Sequence, residues 1–301
     1  MKNKYGKSLI LLFFIMIVSI SVLFGCSGAE KNGKAAGESQ ENKDEKIIRI
    51  GYQKYGTFNI LKKQGTLEKT LEKYGYSVKW IQFPAGPQLL EALNVGSIDI
   101  GHSGEVPPIF AQAAGTDFVY IAHEPESPLS EAILVRKNSS FRTVQDLKGK
   151  KVALNKGSNV HYLLIKALED AGLKISDINP QYLAPGDARA AFEQGSVDAW
   201  VIWDPYFALA ETETDVKVLA DGKNLVKNRE FYFARKEFAE KHGQVIDVLL
   251  EEINNTDRWA KNAPKEVAEL LSPELGIDVP ALEKAAKRRT YGVQKISEQV
   301  L

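Results

Sequence analysis

The stretch FPAGPQLLEALNVGSIDIGHSGEVPP at residues 83–108 decides the fold of this chain. Leucine and valine recur at a spacing that predicts a helix over residues 87–95, and its first residue is a proline, which suits a first helical turn. Gly96 is expected to end this helix in a left-handed conformation, which a residue without a Cβ atom adopts most easily. Residues 98–101 then predict a short strand, and residues 103–105 a tight loop.

The same unit occurs a second time along the chain. Residues 92–99 (ALNVGSID) align with residues 191–198 (AFEQGSVD) at a constant offset (191 − 92 = 99), which also places Glu105 over Asp204. Two copies are too few for a solenoid. We interpret them as two similar α/β lobes, each presenting the end of a strand to a shared cleft. The alternative is that such units recur by chance, because helices and strands are common in any α/β protein.

Composition and element order indicate a globular α/β protein. The 301 residues are 44% hydrophobic and 26% charged, which leaves room for two domains. Apolar strands alternate with helices over residues 47–271, which predicts parallel sheets covered on both faces. The formal net charge is zero, so nothing indicates a nucleic-acid partner.

The beginning of the chain is predicted to lie outside the fold. In residues 1–25, three lysines precede an almost unbroken apolar run, and Cys26, the only cysteine, follows. This signal peptide resembles a bacterial lipobox, in which the cysteine receives a lipid before cleavage just ahead of it, although Phe24 stands where a smaller residue is usual. The alternative is an uncleaved membrane anchor. Residues 26–45 are too polar to pack and predict a lipid-anchored flexible tether.

The motifs of common enzyme sites are not found in this sequence. The four histidines show no metal-ligand spacing with one another, so we expect no metal. There is no nucleophile elbow and no phosphate-binding P-loop, and the glycines of residues 51–56 are too far apart for a dinucleotide fingerprint. Glu105 and Asp204 could form a pair of carboxylates, but no neighbour defines an acid and a base. The residues therefore leave an enzyme open without supporting one, and we expect no cofactor.

Small polar residues precede three predicted helix N-termini, namely Ser103 with Gly104, Ser158, and Trp203 with Asp204. The free N–H groups at such N-termini bind small oxyanions. Each of these side chains could simply cap its helix. The convergence of three such loops at one cleft favours a binding site.

The sequence resembles the aliphatic sulfonate-binding proteins of ABC importers, which belong to the nitrate, sulfonate and taurine group of the type II periplasmic-binding-protein superfamily. The likeness covers about residues 47–300. It implies an α/β fold of two Rossmann-like lobes, joined by crossing strands around a central ligand cleft. Residues 46–132 and 218–301 would form lobe 1, and residues 133–217 lobe 2. The motifs that carry the resemblance are residues 83–101, residues 103–115, Lys156-Gly157-Ser158 with His161, residues 187–192 and residues 198–206.

The resemblance also implies a function. The protein would capture aliphatic sulfonates outside the cytoplasmic membrane, for sulfur acquisition through an ABC permease and its ATPase. We expect a monomer anchored to the cell membrane by the Cys26 lipid, and members of the family usually continue past the position of Leu301 with a further helix. The residues expected to bind ligand are Gln53, Ser103, Gly104, Glu105, Ser158, His161, Asp187, Trp203 and Asp204.

Several alternatives remain at this point. The carboxylates of Glu105 and Asp204 would repel an anion. They either point away and cap helices or bridge the lobes, or they meet the ammonium of an aminosulfonate such as taurine. Asp187 is also a plausible helix N-cap. His102 departs from the small hydroxyl residues usual in the family, and it is either a core residue or a ligand donor. The ligand could instead be taurine, nitrate or a pyrimidine precursor. An enzyme of the same fold, such as a menaquinone-pathway lyase, is the remaining possibility.

Overall fold

The computed structural model describes residues 46–300. These residues form two five-stranded sheets with helices packed on them. The predicted signal peptide, Cys26 and the tether lie outside the described residues. Within the described part of the chain, no helix combines the length and the apolar character needed to cross a membrane.

The two sheets have the same topology. The first sheet has the strand order β2-β1-β3-β10-β4 and the second has the order β7-β6-β8-β5-β9, so each strand has a counterpart in the other sheet. The first sheet contains β1 (Lys46–Tyr52), β2 (Tyr76–Gln82), β3 (Ile100–Gly104), β4 (Phe118–His123) and β10 (Glu230–Arg235). The second contains β5 (Glu131–Arg136), β6 (Lys151–Leu154), β7 (Asn179–Tyr182), β8 (Ala199–Trp203) and β9 (Val216–Asp221).

Helices connect and cover these strands. In the first half of the described chain they are α1 (Thr57–Gln64), α2 (Thr66–Glu72), α3 (Gly86–Asn94), α4 (Val106–Ala113) and α5 (Asn159–Asp170). In the second half they are α6 (Pro185–Glu193), α7 (Tyr206–Glu213), α8 (Lys236–Lys241), α9 (Gly243–Asn262), α10 (Pro264–Leu275) and α11 (Val279–Arg288). Short 3-10 turns occur at Pro128–Ser130, Val144–Leu147 and Ile175–Asp177.

The predicted internal repeat is present in the structure. Helices α3 and α6 begin 99 residues apart, and so do strands β3 and β8. The repeat extends to hydrogen bonds. The carboxylate of Asp99 accepts from the backbone N–H of Arg49 at 3.0 Å, and that of Asp198 accepts from Lys151 at 2.9 Å. Each aspartate thus ties the start of its strand to the neighbouring parallel strand.

The prediction of parallel sheets holds for only part of each sheet, because each sheet also contains one strand that runs against its neighbours. Strand β10 is antiparallel to β3 and β4, and strand β5 is antiparallel to β8 and β9. These two strands enter from the opposite sheet through the short crossing segments 124–130 and 222–229. They therefore lack the helical crossover that parallel neighbours require.

The crossing segments also set the extent of the two lobes. The second sheet begins at Glu131 and ends at Asp221, so it reaches beyond the expected residues 133–217 at both ends. We refer to the first sheet with its helices as lobe 1, and to residues 131–221 as lobe 2. Helix α7 belongs to lobe 2 by position, but its Ala208 and Leu209 are buried in one apolar cluster with the C-terminal helices of lobe 1.

The predicted loop at residues 103–105 begins too early. Ser103 and Gly104 are the last residues of β3, where they pair with Phe231 and Glu230 of β10. All five residues of β3 are buried, as expected for a strand covered on both faces. The sequence near this loop contains no sign of a strand partner that lies more than a hundred residues further along the chain.

Candidate functional site

A cavity lies where the ends of four strands meet. Gly104 and Trp203 end β3 and β8, and Glu230 and Glu131 begin β10 and β5. Glu230 pairs with Gly104, and Glu131 pairs with Trp203, so the two lobes contribute equivalent strand pairs. The other lining residues are Gln53, Tyr55, Gly86, Pro107, Glu124, Pro125, Ser127, Ser130, Ser158, Asn159, Asp204, Asn228 and Arg289.

Three helices begin at this cavity. Gly86 is the first residue of α3, Pro107 lies in the first turn of α4, and Asn159 is the first residue of α5. None of the three has a hydrogen bond from an N-cap side chain. The hydroxyl of Ser158, the N-cap of α5, instead donates to the carbonyl of Asn155 at 2.7 Å. Free N–H groups in first helical turns are suited to an anion, and α3 and α5 can offer them. The first turn of α4 cannot, because Pro107 and Pro108 have no N–H and the N–H of Val106 donates to Asn159.

Asn159 of lobe 2 contacts lobe 1 directly. Its Oδ1 accepts from the backbone N–H of Val106 at 3.3 Å, and its Nδ2 donates to Oδ1 of Asn228 at 2.7 Å. Gly104 makes room for this contact, because a Cβ atom there would lie 2.0 Å from Nδ2 of Asn159. Gly104 and Asn159 together therefore close the cleft at this point.

Arg289 supplies a positive charge to the cavity and is held by Glu124. Its Nη2 donates to both carboxylate oxygens of Glu124, at 2.8 and 2.7 Å, while its Nε has no partner among the described residues. Glu124 also accepts from the hydroxyls of Thr57 and Tyr232. Burial alone would lower the pKa of Arg289, but Glu124 and Glu230 raise it well above its usual value. Arg289 is therefore a permanent cation.

Glu105 and Asp204 both have partners within the chain. Glu105 accepts from the backbone N–H groups of Asn228 and Arg229, at 3.1 and 3.3 Å. Asp204 accepts from the N–H of Ala208 at 3.0 Å, in the first turn of α7. These contacts correspond to the first of the two alternatives above, in which both carboxylates cap helices or bridge segments.

The environment of Asp204 raises its proton affinity. Asp204 is 7% exposed. Burial raises its pKa to about 7, although the nearby charge of Arg288, whose Nε lies 3.3 Å from Oδ2, opposes the shift. Burial likewise raises the pKa of Glu105, against two backbone N–H groups that lower it. Asp204 therefore carries less negative charge near neutral pH than an exposed carboxylate would.

The structure brings five of the nine predicted ligand-binding residues to the cavity and leaves four outside its lining. The five come from both lobes: Gln53, Gly104, Ser158, Trp203 and Asp204. Ser103 is buried within β3, and its hydroxyl donates to the carbonyl of Gly104 at 3.0 Å. Glu105 turns away from the cavity toward the backbone that it accepts from.

His161 and Asp187 also lie away from the cavity lining. The His161 ring stacks edge-on against Tyr182 at 5.7 Å between centroids, and its Nδ1 accepts from the N–H of Gly157 at 3.3 Å. Asp187 is exposed in the first turn of α6, whose N-cap is Ala184, so the predicted N-cap role of Asp187 is wrong.

His102 lies in the core of lobe 1. It is 2% exposed, and its ring packs against Phe58 and Tyr232. Its Nδ1 lies 2.9 Å from Oε2 of Glu230. Burial alone would raise the pKa of Glu230, but the hydrogen bond and the charge of His102 lower it below its usual value. His102 therefore acts on the cavity through Glu230 and through Gln53, which donates its backbone N–H to Nε2 of His102 at 3.5 Å and its Nε2 to the His102 carbonyl at 3.3 Å.

Twelve lining residues were not predicted, and six of them have charged or amide side chains: Glu124, Glu131, Asn159, Asn228, Glu230 and Arg289. A usable signal existed for two of them, because Glu131 and Glu230 each stand directly before an apolar strand, as EAILV and EFYFA. Arg289 and Asn228 follow no local pattern. Across residues 46–300, no three histidine, aspartate or glutamate side chains are arranged to hold a metal ion.

Comparisons with known proteins agree with this architecture. The model of the family described as "Substrate binding domain of ABC-type glycine betaine transport system" matches residues 46–271. The "Putative aliphatic sulfonates-binding protein" of Escherichia coli (strain K12) is 50% identical over 237 residues, which are 78% of this chain and 73% of that protein. The protein of the same description from Bacillus subtilis (strain 168) is 35% identical over 288 residues, 95% of this chain and 86% of that protein.

A solved structure is similar over most of the described chain. The alkanesulfonate-binding protein from Xanthomonas axonopodis pv. citri bound to MOPS has a TM-score of 0.80 and 41% identity, over 84% of this chain and 88% of that chain. These matches confirm the resemblance and the two-lobed fold that the sequence implied. The chain belongs to the aliphatic sulfonate-binding proteins of ABC importers.

Proposed function

We propose that this protein captures aliphatic sulfonates outside the cytoplasmic membrane and delivers them to an ABC permease with its ATPase. The observation that carries the proposal is the meeting of the N-termini of α3 and α5, one from each lobe, with the guanidinium of Arg289 at one cavity. The names of the relatives support the ligand class, and a similar solved protein is bound to MOPS, which is itself a sulfonate. The relatives are binding proteins, so we also propose that this chain is not an enzyme.

The chemistry of a sulfonate suits this cavity. A sulfonate keeps one negative charge at any biological pH and presents three acceptor oxygens. The N–H groups at the start of α5 and the guanidinium of Arg289 are available donors, and the indole of Trp203 can cover an alkyl tail. A micromolar ligand needs about −8 kcal/mol. Several hydrogen bonds to a charged group, each worth roughly 1.5–3 kcal/mol before association costs, can supply it.

Isothermal titration calorimetry tests this proposal. We expect the purified protein, in a buffer that is not a sulfonate, to bind ethanesulfonate and longer alkanesulfonates with micromolar or tighter affinity, roughly −8 kcal/mol or more. Sulfate and nitrate serve as controls for general anion binding and should give no heat of binding. If the folded protein binds none of the sulfonates, the proposal is contradicted. Another small oxyanion as the ligand, or an enzymatic function, would then be favoured.

We also propose that Cys26 carries the lipid that anchors the protein to the cell membrane, with residues 26–45 as its tether. Mass spectrometry of the protein from membranes should show a chain that begins at Cys26 with a diacylglyceryl group on the thiol. The variant Cys26→Ser should keep residues 1–25, because the modified thiol is required before cleavage. Residues 1–25 still attached to the wild-type protein would indicate the uncleaved anchor instead.

A further inference from the structure

Glu131 is a carboxyl group without a partner in the cavity. It is 1% exposed, and neither of its carboxylate oxygens has a hydrogen-bond partner among the described residues. It nevertheless lines the cavity, at the first position of β5. Buried polar groups are almost always hydrogen-bonded, and a buried ionised carboxylate without a partner is strongly unfavourable. The missing partner therefore requires an explanation.

The internal repeat shows why Glu131 lacks the partner that Glu230 has. Glu131 and Glu230 occupy equivalent positions, each at the start of the strand that crosses into the other sheet. Glu230 is held by His102 of β3. The residue 99 positions later, at the equivalent place on β8, is Val201, which has no polar atom in its side chain. Only lobe 2 therefore leaves its glutamate free to bind a group from outside the chain.

The surroundings of Glu131 select the kind of group that would bind there. The charged residues that act on it, Glu105 and Glu230, are both acidic. Its cross-strand neighbour in the register is Trp203, which also lines the cavity. Residues directly opposite each other in an antiparallel pair share one face of the sheet. A carboxylate beside an indole ring, with further negative charge nearby, is an environment that attracts an organic cation.

We propose that Glu131, with Trp203 beside it, binds the cationic nitrogen of an aminosulfonate whose sulfonate group lies at the helix N-termini. This inference rests on the proposed function, and it assigns one residue of this chain to the recognition of zwitterionic sulfonates. In this proposal the ammonium meets Glu131 and not Glu105 or Asp204, because both of those carboxylates already accept hydrogen bonds from the chain.

A proton should leave the protein when such a ligand binds. Burial raises the pKa of Glu131 well above its usual value, and the charges of Glu105 and Glu230 raise it further, so the group is neutral in the empty cleft. A bound ammonium favours the ionised form. Glu131 then loses its proton to the buffer, and by linkage the affinity for the aminosulfonate rises as the pH rises.

Two ligands of nearly equal shape allow the contribution of the ammonium group to be measured by itself. Taurine and propane-1-sulfonate differ mainly in an ammonium group in place of a methyl group. We would titrate both into the wild-type protein in phosphate and in Tris, which are not sulfonates and differ in enthalpy of ionisation. The dependence of the heat on the buffer should correspond to the release of about one proton with taurine and none with propane-1-sulfonate, since only one carboxyl changes its state.

The variant Glu131→Gln completes the test. It should weaken taurine binding roughly 10- to 100-fold, the range expected for a hydrogen bond to a charged group, and leave propane-1-sulfonate within about twofold of wild type. Glu126→Gln is the matched control, because it makes the same chemical change in the adjoining crossing segment, outside the cavity lining. It should change neither affinity.

Each other outcome counts against the inference. Two results would overturn the role of Glu131 and leave the proposed function intact. One is binding of taurine without release of a proton, and the other is binding of propane-1-sulfonate but not of taurine. Equal weakening of both ligands in Glu131→Gln would indicate a neutral carboxyl that donates to the sulfonate. Failure of both ligands to bind folded wild-type protein would refute the proposed function itself. The buffer comparison uses only wild-type protein, so it holds even if the variant does not fold.

Discussion

Replacing Gly104 with alanine is expected to weaken alkanesulfonate binding by roughly 30- to 100-fold, or about 2–3 kcal/mol. The backbone of Gly104 is one that alanine can adopt, so the effect comes from the added methyl group alone. That group would lie 2.0 to 2.3 Å from three atoms of the Asn159 side chain. Asn159 would have to swing away and lose its hydrogen bonds to Val106 and Asn228. The lobes could then no longer close at this point.

Calorimetry with propane-1-sulfonate measures this effect, and the chain offers a matched control. Gly186 lies in the first turn of α6, with no atom within 4 Å of an added Cβ, so Gly186→Ala should bind as wild type does. In the background of Asn159→Ala, the Gly104→Ala change should cost little more, because the clashing side chain is already gone. Wild-type affinity in Gly104→Ala alone would show that the contact between the lobes does not govern binding.

Replacing Arg289 with methionine is expected to lower the free energy of unfolding by about 3–5 kcal/mol. Arg289 and Glu124 are 11% and 3% exposed at their side chains. Removal of the guanidinium leaves the Glu124 carboxylate buried, with only the hydroxyls of Thr57 and Tyr232 as donors. An unpaired buried charge costs more than the pair contributed. Ligand binding should also weaken, because Arg289 lines the cavity.

Equilibrium unfolding in urea measures the loss of stability. Arg258→Met on α9 is the matched control, because Arg258 is exposed and the same chemical change there should stay within about 0.5 kcal/mol of wild type. The double variant Arg289→Met with Glu124→Gln should recover part of the loss, because it removes the orphaned charge. If Arg289→Met unfolds at the same urea concentration as Arg258→Met, the pair does not stabilise the fold.

The sequence predicted the parts of the fold that are locally encoded. The helix at Gly86–Asn94 and its glycine stop follow from short-range spacing, and Gly96 has the expected positive φ of 71°. The repeat was visible because the sequence around Asp99 matches that around Asp198, and each aspartate accepts one backbone N–H from the neighbouring parallel strand. Gly104 and Trp203 end the two strands of this repeat, and Asp204 follows directly.

What the sequence did not predict depends on contacts between distant segments. Ser103 is part of a strand only because Phe231 pairs with it. No sequence pattern marks Asn159 as a site residue. It contacts the other lobe because Gly104 leaves room for its side chain. Arg289 reaches the cavity from the C-terminal part of the chain, where no motif surrounds it. His161 and Asp187 fit polar positions near the expected cleft, but they face other surfaces.

The place of β10 between β3 and β4 has a consequence for the order in which the protein can be assembled. The second sheet uses only residues 131–221, so all of its strands exist once that segment has left the ribosome. The first sheet begins at Lys46, but it lacks an interior strand until Arg235 has been made, and until then β3 and β4 present unpaired edges. The lobe that is synthesised first can therefore be completed only after the lobe that is synthesised second.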